Sequence, residues 1–217
     1  MGRKQFDEAI EKLKNDVVSM MENVEAIFVK SVEALLIQDV EAAKKVIAMD
    51  DEIDRQMDAI EEASVELIAL QQPIATDLRI IFSISKIITD LERVGDFSVN
   101  IAKETIKIGN EPLIKPLIDI PKMQKIISRM LKNAKRSFVD GNISLAYEVG
   151  AEDELIDNLY KGIYSEILIM IHEDKRYINQ GTKLLFIGRY LERIADHITN
   201  ICERIIYIYS GEKANIN

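Results

Sequence analysis

The sequence predicts an all-α protein made of two tandem three-helix bundles related by internal duplication. Three observations predict this fold. The composition favours helix, with only 9 Gly, 4 Pro and no Trp among 217 residues. Apolar residues recur at alternating steps of three and four, which is typical of helices packed in a bundle. An acidic phrase in the first half, DLERVGDFSVNIA from Asp90, returns in the second half as YLERIADHITNIC.

Three helices are expected in the first half. The first begins near Phe6, and Asp39 is placed to cap the second. Pro73, in the stretch QQP, marks the turn into a third helix that ends at Gly109. The apolar stripe of the first helix consists of Phe6, Ile10, Leu13, Val17, Met20, Val24 and Ile27.

The second half repeats this plan after a linker at the midpoint. Residues 109–121 hold three of the four prolines, so we expect domains at 1–110 and 111–217. Helices are expected over about 122–140, 144–173 and 178–210. No stretch alternates with a period of two, so no sheet is expected.

The overall charge limits the kinds of partner that the protein can bind. The net charge of −9, from 28 Lys and Arg against 37 Asp and Glu, makes nucleic acid a poor partner. The N-terminus shows no apolar signal segment, and no uncharged apolar run approaches the roughly 18 residues of a membrane span. We therefore expect a cytoplasmic protein that meets a membrane only through partners. Cys202, the single cysteine, fits a reducing cytosol and is expected to be a small core residue.

The repeated phrase is polar, which a shared packing face does not explain. The matching residues are Glu92, Arg93, Asp96 and Asn100 in the first half and Glu192, Arg193, Asp196 and Asn200 in the second. Each half has a second acidic pair on the preceding helix: Asp50 and Asp54, then Asp153 and Asp157. Acidic residues four apart lie one turn apart, about 6 Å along the axis. Their repulsion costs roughly a few tenths of a kcal/mol unless a cation lies between them.

The two acidic pairs of each half are equidistant from the turn between their helices. That turn is Pro73 in the first half and the polar stretch HEDKR in the second. The facing residues are Asp54 with Glu92, Asp50 with Asp96, Asp157 with Glu192, and Asp153 with Asp196. In an antiparallel hairpin with axes about 8–10 Å apart, four carboxylates at one level can share a metal ion. All eight carboxylates lie at the edge of the apolar stripe of their helix. In each hairpin the two acidic edges therefore either face each other or both point away.

Oxygen ligands suit hard ions such as Mg²⁺, Mn²⁺ and Ca²⁺, and carboxylate clusters also hold iron. Asn100 and Asn200 are candidates to add an amide oxygen or to cap the network. Arg93 and Arg193 are expected to lie farther out, offsetting the acidic charge or forming an interaction surface. The alternative is a pair of solvated acidic faces without metal.

The stretch QQPIATDLRIIFSISKIITDLERVGDFSVNIAK and its second-half counterpart YLERIADHITNICE resemble the PhoU family of bacterial phosphate-signalling proteins, over essentially the whole chain. The departures are Ala195, where the family usually has Gly, His197 opposite Phe97, and the looser region RYINQGTKLLF. The resemblance implies two three-helix bundles whose acidic motifs bind multinuclear iron, zinc or other divalent ions. It also implies a cytoplasmic, often dimeric regulator that contacts the ATPase of the phosphate ABC transporter and the phosphate-sensing histidine kinase.

Three other functions compete with this interpretation. A di-iron carboxylate enzyme needs Glu-x-x-His, and neither His172 nor His197 has a Glu three residues before it. No phosphate loop or Gly-x-Ser-x-Gly motif is present, so no enzymatic activity is expected. The remaining rivals are a metal-free helical scaffold with acidic docking faces and an accessory protein of another phosphate transporter. His197 is expected at a surface or boundary, although it follows Asp196 directly.

Overall fold

The computed structural model describes residues 3–71 and 73–216. Within these ranges every regular element is helical, which confirms the all-α prediction. The helices are α1 (Arg3–Leu36), α2 (Val40–Gln71), α3 (Ala75–Ile108), α4 (Asp119–Asp140), α5 (Ile143–Ala151), α6 (Asp153–Glu173) and α7 (Ile178–Ser210), with a short 3₁₀ helix at Lys175–Tyr177. No helix in the described ranges is long and apolar enough to cross a membrane.

Helices α1, α2 and α3 pack into the first bundle. The predicted stripe of α1 is its buried face, since every member from Phe6 to Ile27 is at most 6% exposed. The carboxylate of Asp39 accepts a hydrogen bond from the Ala42 N–H at 2.8 Å, as an N-cap does. Gln72 of the predicted turn lies outside the described residues, and Pro73 precedes the start of α3.

The second bundle differs from its prediction in one respect. The helix expected over about 144–173 is two helices, α5 and α6, that break at Glu152. Arg129 of α4 donates to both carboxylate oxygens of Glu152, at 2.9 and 3.1 Å. Gly150 lies just before the break, where the side chain of Ile216 occupies the space of a Cβ. At the break the Glu152 N–H donates to the Val149 carbonyl at 3.1 Å, and the Leu155 N–H donates to the Glu152 carbonyl at 3.1 Å. These bonds span three residues, as in a 3₁₀ turn, and separate α5 from α6.

The linker is shorter than predicted and is held in place. It spans residues 109–118, because Pro121 lies in the first turn of α4, where a missing N–H costs little. The Gln38 amide donates to the carbonyls of Gly109 and Glu111 at 3.0 and 2.7 Å. Gln180 of α7 accepts from the Ile114 N–H at 2.7 Å and donates to the Pro112 carbonyl at 3.1 Å.

We expect Gln180→Ala to lower the free energy of unfolding by about 1–3 kcal/mol, because two backbone groups of the linker lose their partner. Gln180 is only 4% exposed, so water replaces it poorly. Urea unfolding followed by circular dichroism measures the change. The neighbouring exposed residue supplies the control, since Asn179→Ala should change the free energy by less than about 0.5 kcal/mol. Equal effects of the two substitutions would contradict the role of Gln180.

The two bundles pack through α3 and α7, which run antiparallel, with α1 also contacting α4. Phe97 stacks on Tyr190 at a ring-centroid distance of 5.8 Å, and His197 Nδ1 lies 2.8 Å from Asp90 Oδ1. At the repeat offset of 100, Phe97 matches His197 and Tyr190 matches Asp90, so each contact occupies the place of the other in the opposite repeat. The two repeats are therefore related by an internal pseudo-two-fold axis. Val94 of α3 and Ile194 of α7 lie between these contacts and are fully buried.

Candidate metal centre

The first cluster consists of Asp50 and Asp54 on α2 with Glu92 and Asp96 on α3. The pKa of Asp50 is raised to about 6, chiefly by burial and then by the charges of Asp54 and Asp96. The pKa of Glu92 is raised by burial first and then by Asp96, with smaller contributions from Asp54 and Asp50. Carboxylates of the two helices therefore influence each other across the hairpin. The acidic edges of α2 and α3 therefore face each other, which was one of the two arrangements that the sequence allowed.

Gly95 allows α2 to approach α3 at this level. A Cβ at Gly95 would lie 3.2 Å from Ile53 Cδ1, which is tight, and 3.4 Å from Asp50 Oδ1, so the α3 backbone lies directly against the Ile53 side chain and the Asp50 carboxylate. The second repeat has Ala195 at this position, fully buried. A methyl group is thus accommodated there, and the departure from the family pattern leaves the second hairpin closed.

Arg93 and Arg193 partly neutralise the clusters in the same way. Arg93 Nη1 donates to Asp96 Oδ2 at 2.9 Å, and its Nε lies 3.5 Å from Glu92 Oε2. Arg193 Nη1 donates to Asp196 Oδ2 at 3.0 Å. Both arginine side chains are about half exposed, 53% and 47%. The structure thus places them as charge partners of Asp96 and Asp196, as one of the two sequence interpretations expected.

The second cluster consists of Asp153 and Asp157 on α6 with Glu192 and Asp196 on α7. Asp153 and Glu192 are buried. Glu192 is paired through Oε1 with Arg189, whereas its Oε2 is buried without a hydrogen-bond partner among the described residues. Burial, followed by the charge of Asp196, raises the pKa of Glu192, and Asp157 contributes from α6. The second hairpin therefore repeats the arrangement of the first.

The two clusters differ in their neighbouring charges. Arg189 stands in the second repeat where the first has Thr89. Lys161, whose Nζ lies 3.9 Å from Asp157 Oδ2, stands where α2 has Asp58. The first cluster has a cation of its own, Lys103, whose charge acts to lower the pKa of Asp50, and the second repeat has Glu203 at that place. Over these three positions the second repeat therefore has one more cation than the first.

Asn200 and His197 both face the other repeat. The Asn200 amide nitrogen lies 3.3 Å from Asp90 Oδ1, the same oxygen that His197 contacts. Asn100 is half-buried at the matching position of α3. Sequence reasoning missed Asp90 as a contact residue between the repeats. The two copies differ at both positions of this contact, with Asp90 matched by Tyr190 and His197 by Phe97, and this paired difference was the signal in the sequence.

The donors of both clusters fit hard cations, since every candidate ligand is a carboxylate or amide oxygen. The buried, unsatisfied Glu192 oxygen and the raised pKa values of Asp50 and Glu92 show acidic groups short of positive charge. Within residues 3–71 and 73–216, however, no three Asp, Glu, His or Cys side chains are disposed as ligands of one ion. Asp96 and Asp196 are instead engaged by arginines, so holding an ion would require these carboxylates to rotate inward.

We expect Asp50→Asn to raise the melting temperature of the metal-free protein at pH 7.5. An Asp whose folded pKa is about 6, against an ordinary value of 3.8, holds a proton in the folded state that the unfolded chain has lost, so stability falls as pH rises from about 4 to 6. The amide mimics the protonated carboxyl. Because the group is partly solvated, the gain is about 1 kcal/mol, or about 2–4 °C.

Differential scanning calorimetry in the presence of a chelator measures this shift, with Glu62→Gln on the exposed face of α2 as the control. At pH 4 the difference between Asp50→Asn and the parent should shrink, because both then carry an uncharged side chain there. A melting temperature lowered by Asp50→Asn at pH 7.5 would contradict the repulsion.

Comparison with known proteins agrees with this architecture. The family model described as the PhoU domain matches residues 17–105 and again residues 120–205. A PhoU homolog named as a phosphate-specific transport system accessory protein, from Clostridium acetobutylicum, is 40% identical over 218 residues, covering 100% of both chains. Its counterpart from Aquifex aeolicus is 40% identical over 203 residues, covering 94% of this chain and 92% of the relative.

Two crystal structures have the same fold. PhoU from Pseudomonas aeruginosa superposes with a TM-score of 0.92 at 32% identity, covering 95% of this chain and 100% of that one. The phosphate transport system regulatory protein PhoU from Streptococcus pneumoniae gives a TM-score of 0.90 at 33% identity, covering 97% and 99%. With both repeats matched by the family model and the whole length shared with these relatives, the chain belongs to the PhoU family.

Proposed function

We propose that this protein is a metal-binding, non-enzymatic regulator of phosphate uptake. The names of its relatives, accessory and regulatory proteins of phosphate-specific transport, support the regulatory role. The observation that carries the metal proposal is the duplicated set of four facing carboxylates: charges from the opposite helix contribute to the raised pKa of Asp50 and Glu92 in the first hairpin and of Glu192 in the second. The proposed ligands are Asp50, Asp54, Glu92, Asp96 and Asn100 in the first repeat, and Asp153, Asp157, Glu192, Asp196 and Asn200 in the second.

Iron, zinc, manganese and magnesium are the candidate ions, and more than one ion per cluster is compatible with the number of oxygens. When bound, such an ion would supply the positive charge that the clustered carboxylates lack. The chain's contribution is to hold two acidic residues on each of two helices, so that cation binding ties α2 to α3 and α6 to α7. Binding would therefore stiffen the hairpins and set the shape presented to a partner.

The proposed partners are those that the family resemblance implies. They are the ATPase of the phosphate ABC transporter, the phosphate-sensing histidine kinase and a second copy of this chain, all meeting it in the cytoplasm. In this role the protein restrains uptake and starvation signalling when phosphate is plentiful, acting as an adaptor without catalytic chemistry.

A metal-free scaffold is the second candidate. It is favoured by the engagement of Asp96 and Asp196 by Arg93 and Arg193, which leaves no three acidic, His or Cys side chains of the described residues converging on one point. In that case the two carboxylate clusters would be docking faces for basic surfaces of partner proteins. Service to a different phosphate transporter is a further alternative that shares the same fold.

Phosphate uptake in a deletion strain tests the regulatory role. Cells without the gene, grown in abundant phosphate, should take up radiolabelled phosphate faster than the parent, and the intact gene should restore restraint. A copy carrying Asp54→Asn, Glu92→Gln, Asp157→Asn and Glu192→Gln should accumulate normally yet fail to restore it. Unchanged uptake after deletion would contradict the regulatory proposal. Full restoration by the substituted copy would favour the metal-free scaffold.

A further inference from the structure

A groove of about 720 Å³ lies at the tip of the α2–α3 hairpin, against the last turns of α7. We call it the tip groove. Its large apolar side chains are unusually exposed: Val65 66%, Phe82 60%, Ile68 45% and Leu78 41%. Contiguous exposed apolar surface of this kind is typical of protein interaction sites rather than of free surface.

Arg79 lines the tip groove without an acidic partner among the described residues. Its Nε is buried without a hydrogen-bond acceptor, and no carboxylate within the described ranges forms an ion pair with it. The guanidinium carbon lies 5.9 Å from the centre of the Tyr207 ring. Gly211 leaves room for it, since a Cβ there would lie 2.6 Å from Nη1. An unpaired, partly buried charge is costly, and the planar guanidinium fits a carboxylate in a bidentate manner.

The charges around the groove are unequal on its two sides. Glu61 lines it from α2. On the α3 side Lys86 Nζ lies 5.7 Å from the centre of the Phe82 ring, so Lys86 and Arg79 are both cationic neighbours of the apolar row. An occupant that is apolar in the centre and acidic toward α3 would complement this pattern.

We propose that the tip groove binds an amphipathic helix of a partner protein, with a carboxylate on its apolar face that pairs with Arg79. The apolar residues are spaced by three on α2 and by four on α3, which gives two helical ridges with a channel between them, as in helix-in-groove recognition.

This surface is separate from the carboxylate clusters. Phe82 and Glu92 are ten positions apart on α3, which is about 15 Å along the helix axis. The proposal therefore goes beyond the proposed metal-dependent regulation, and it stands or fails without it.

Fluorescence anisotropy with two synthetic peptides tests the proposal on the full chain. Each peptide is an amphipathic helix of about 18 residues, five turns, with a leucine stripe that includes either one Glu or, in the matched peptide, one Gln. The parent should bind the Glu peptide about tenfold more tightly than the Gln peptide, because a charge-assisted hydrogen bond contributes that much. Arg79→Met should abolish the difference, since Met keeps the apolar stem without the charge.

Two phenylalanine variants locate the binding site. Phe82→Ser should weaken both peptides at least tenfold, as expected for loss of a central aromatic contact. Phe186→Ser, at a residue of α7 that is 50% exposed, is the matched control and should change nothing. Circular dichroism verifies that both remain folded.

Three results would overturn the proposal. The first is no binding, or equal binding of the two peptides by the parent. The second is equal loss of binding in the two phenylalanine variants. The third is a dimer, seen by sedimentation velocity in the absence of peptide, that Phe82→Ser dissociates, because a second copy would then occupy the groove.

Discussion

The Ile194→Asp variant is expected to lose about 4 kcal/mol or more of the free energy of unfolding. Ile194 is 0% exposed. It lies one helical turn from both Tyr190 and His197, the α7 residues that contact α3. On folding, a carboxylate at this position would be transferred from water into the interface between the two repeats, where the neighbouring groups are apolar or already paired. Chemical unfolding in urea, followed by circular dichroism, measures the loss.

Ile169→Asp is the control for this experiment. Ile169 is 59% exposed on α6, so the same change of side chain should alter the free energy of unfolding by no more than about 0.5 kcal/mol. Similar urea midpoints for Ile194→Asp and the parent would show that the α3–α7 interface is not a closed, dry contact.

The two carboxylate clusters are expected to bind Mn²⁺ unequally, with the first tighter by roughly severalfold. This expectation rests on the proposed metal binding. Two cations, Arg189 and Lys161, lie beside the second cluster, whereas the first has one, Lys103. Neighbouring cations oppose a further cation, and each such interaction near a protein surface is worth on the order of 1 kcal/mol or more. Isothermal titration calorimetry on variants that keep one cluster each separates the two affinities.

The variant that keeps the first cluster carries Asp157→Asn with Glu192→Gln, and the variant that keeps the second carries Asp54→Asn with Glu92→Gln. Adding Arg189→Thr to the latter copies the first repeat and should raise its affinity severalfold. Equal affinities, or a tighter second cluster, would contradict the role assigned to Arg189 and Lys161.

The sequence predicted the parts of this structure that depend on local pattern. The heptad-like stripe from Phe6 to Ile27 is the buried face of α1, and Asp39 caps α2 as its type and place suggested. The carboxylates at one level of each hairpin were also predictable, because an antiparallel pair with a known turn fixes which residues face each other. Burial of Cys202, whose pKa is raised to about 12 chiefly by desolvation, follows from its apolar neighbours.

The contacts between distant parts of the chain were not predictable in this way. Whether the acidic edges of two helices face each other depends on how the three helices are ordered around the bundle. The apolar stripe of one helix does not determine that order. The break at Glu152 lies where Arg129 of another helix pairs with the glutamate side chain. The pairing of Asp90 with His197 depends on the packing of α3 against α7, so Asn200, expected beside the carboxylates, also faces the opposite repeat.

The metal content of the untagged protein tests the central proposal most directly. Inductively coupled plasma mass spectrometry should find iron, zinc or manganese at about one or more per chain in the parent. A variant with Asp54→Asn, Glu92→Gln, Asp157→Asn and Glu192→Gln should have lost that metal while keeping its helical circular dichroism. Absence of metal from both proteins, even after incubation with divalent ions, would contradict the proposal that the carboxylate clusters bind metal. The clusters would then be candidate docking faces.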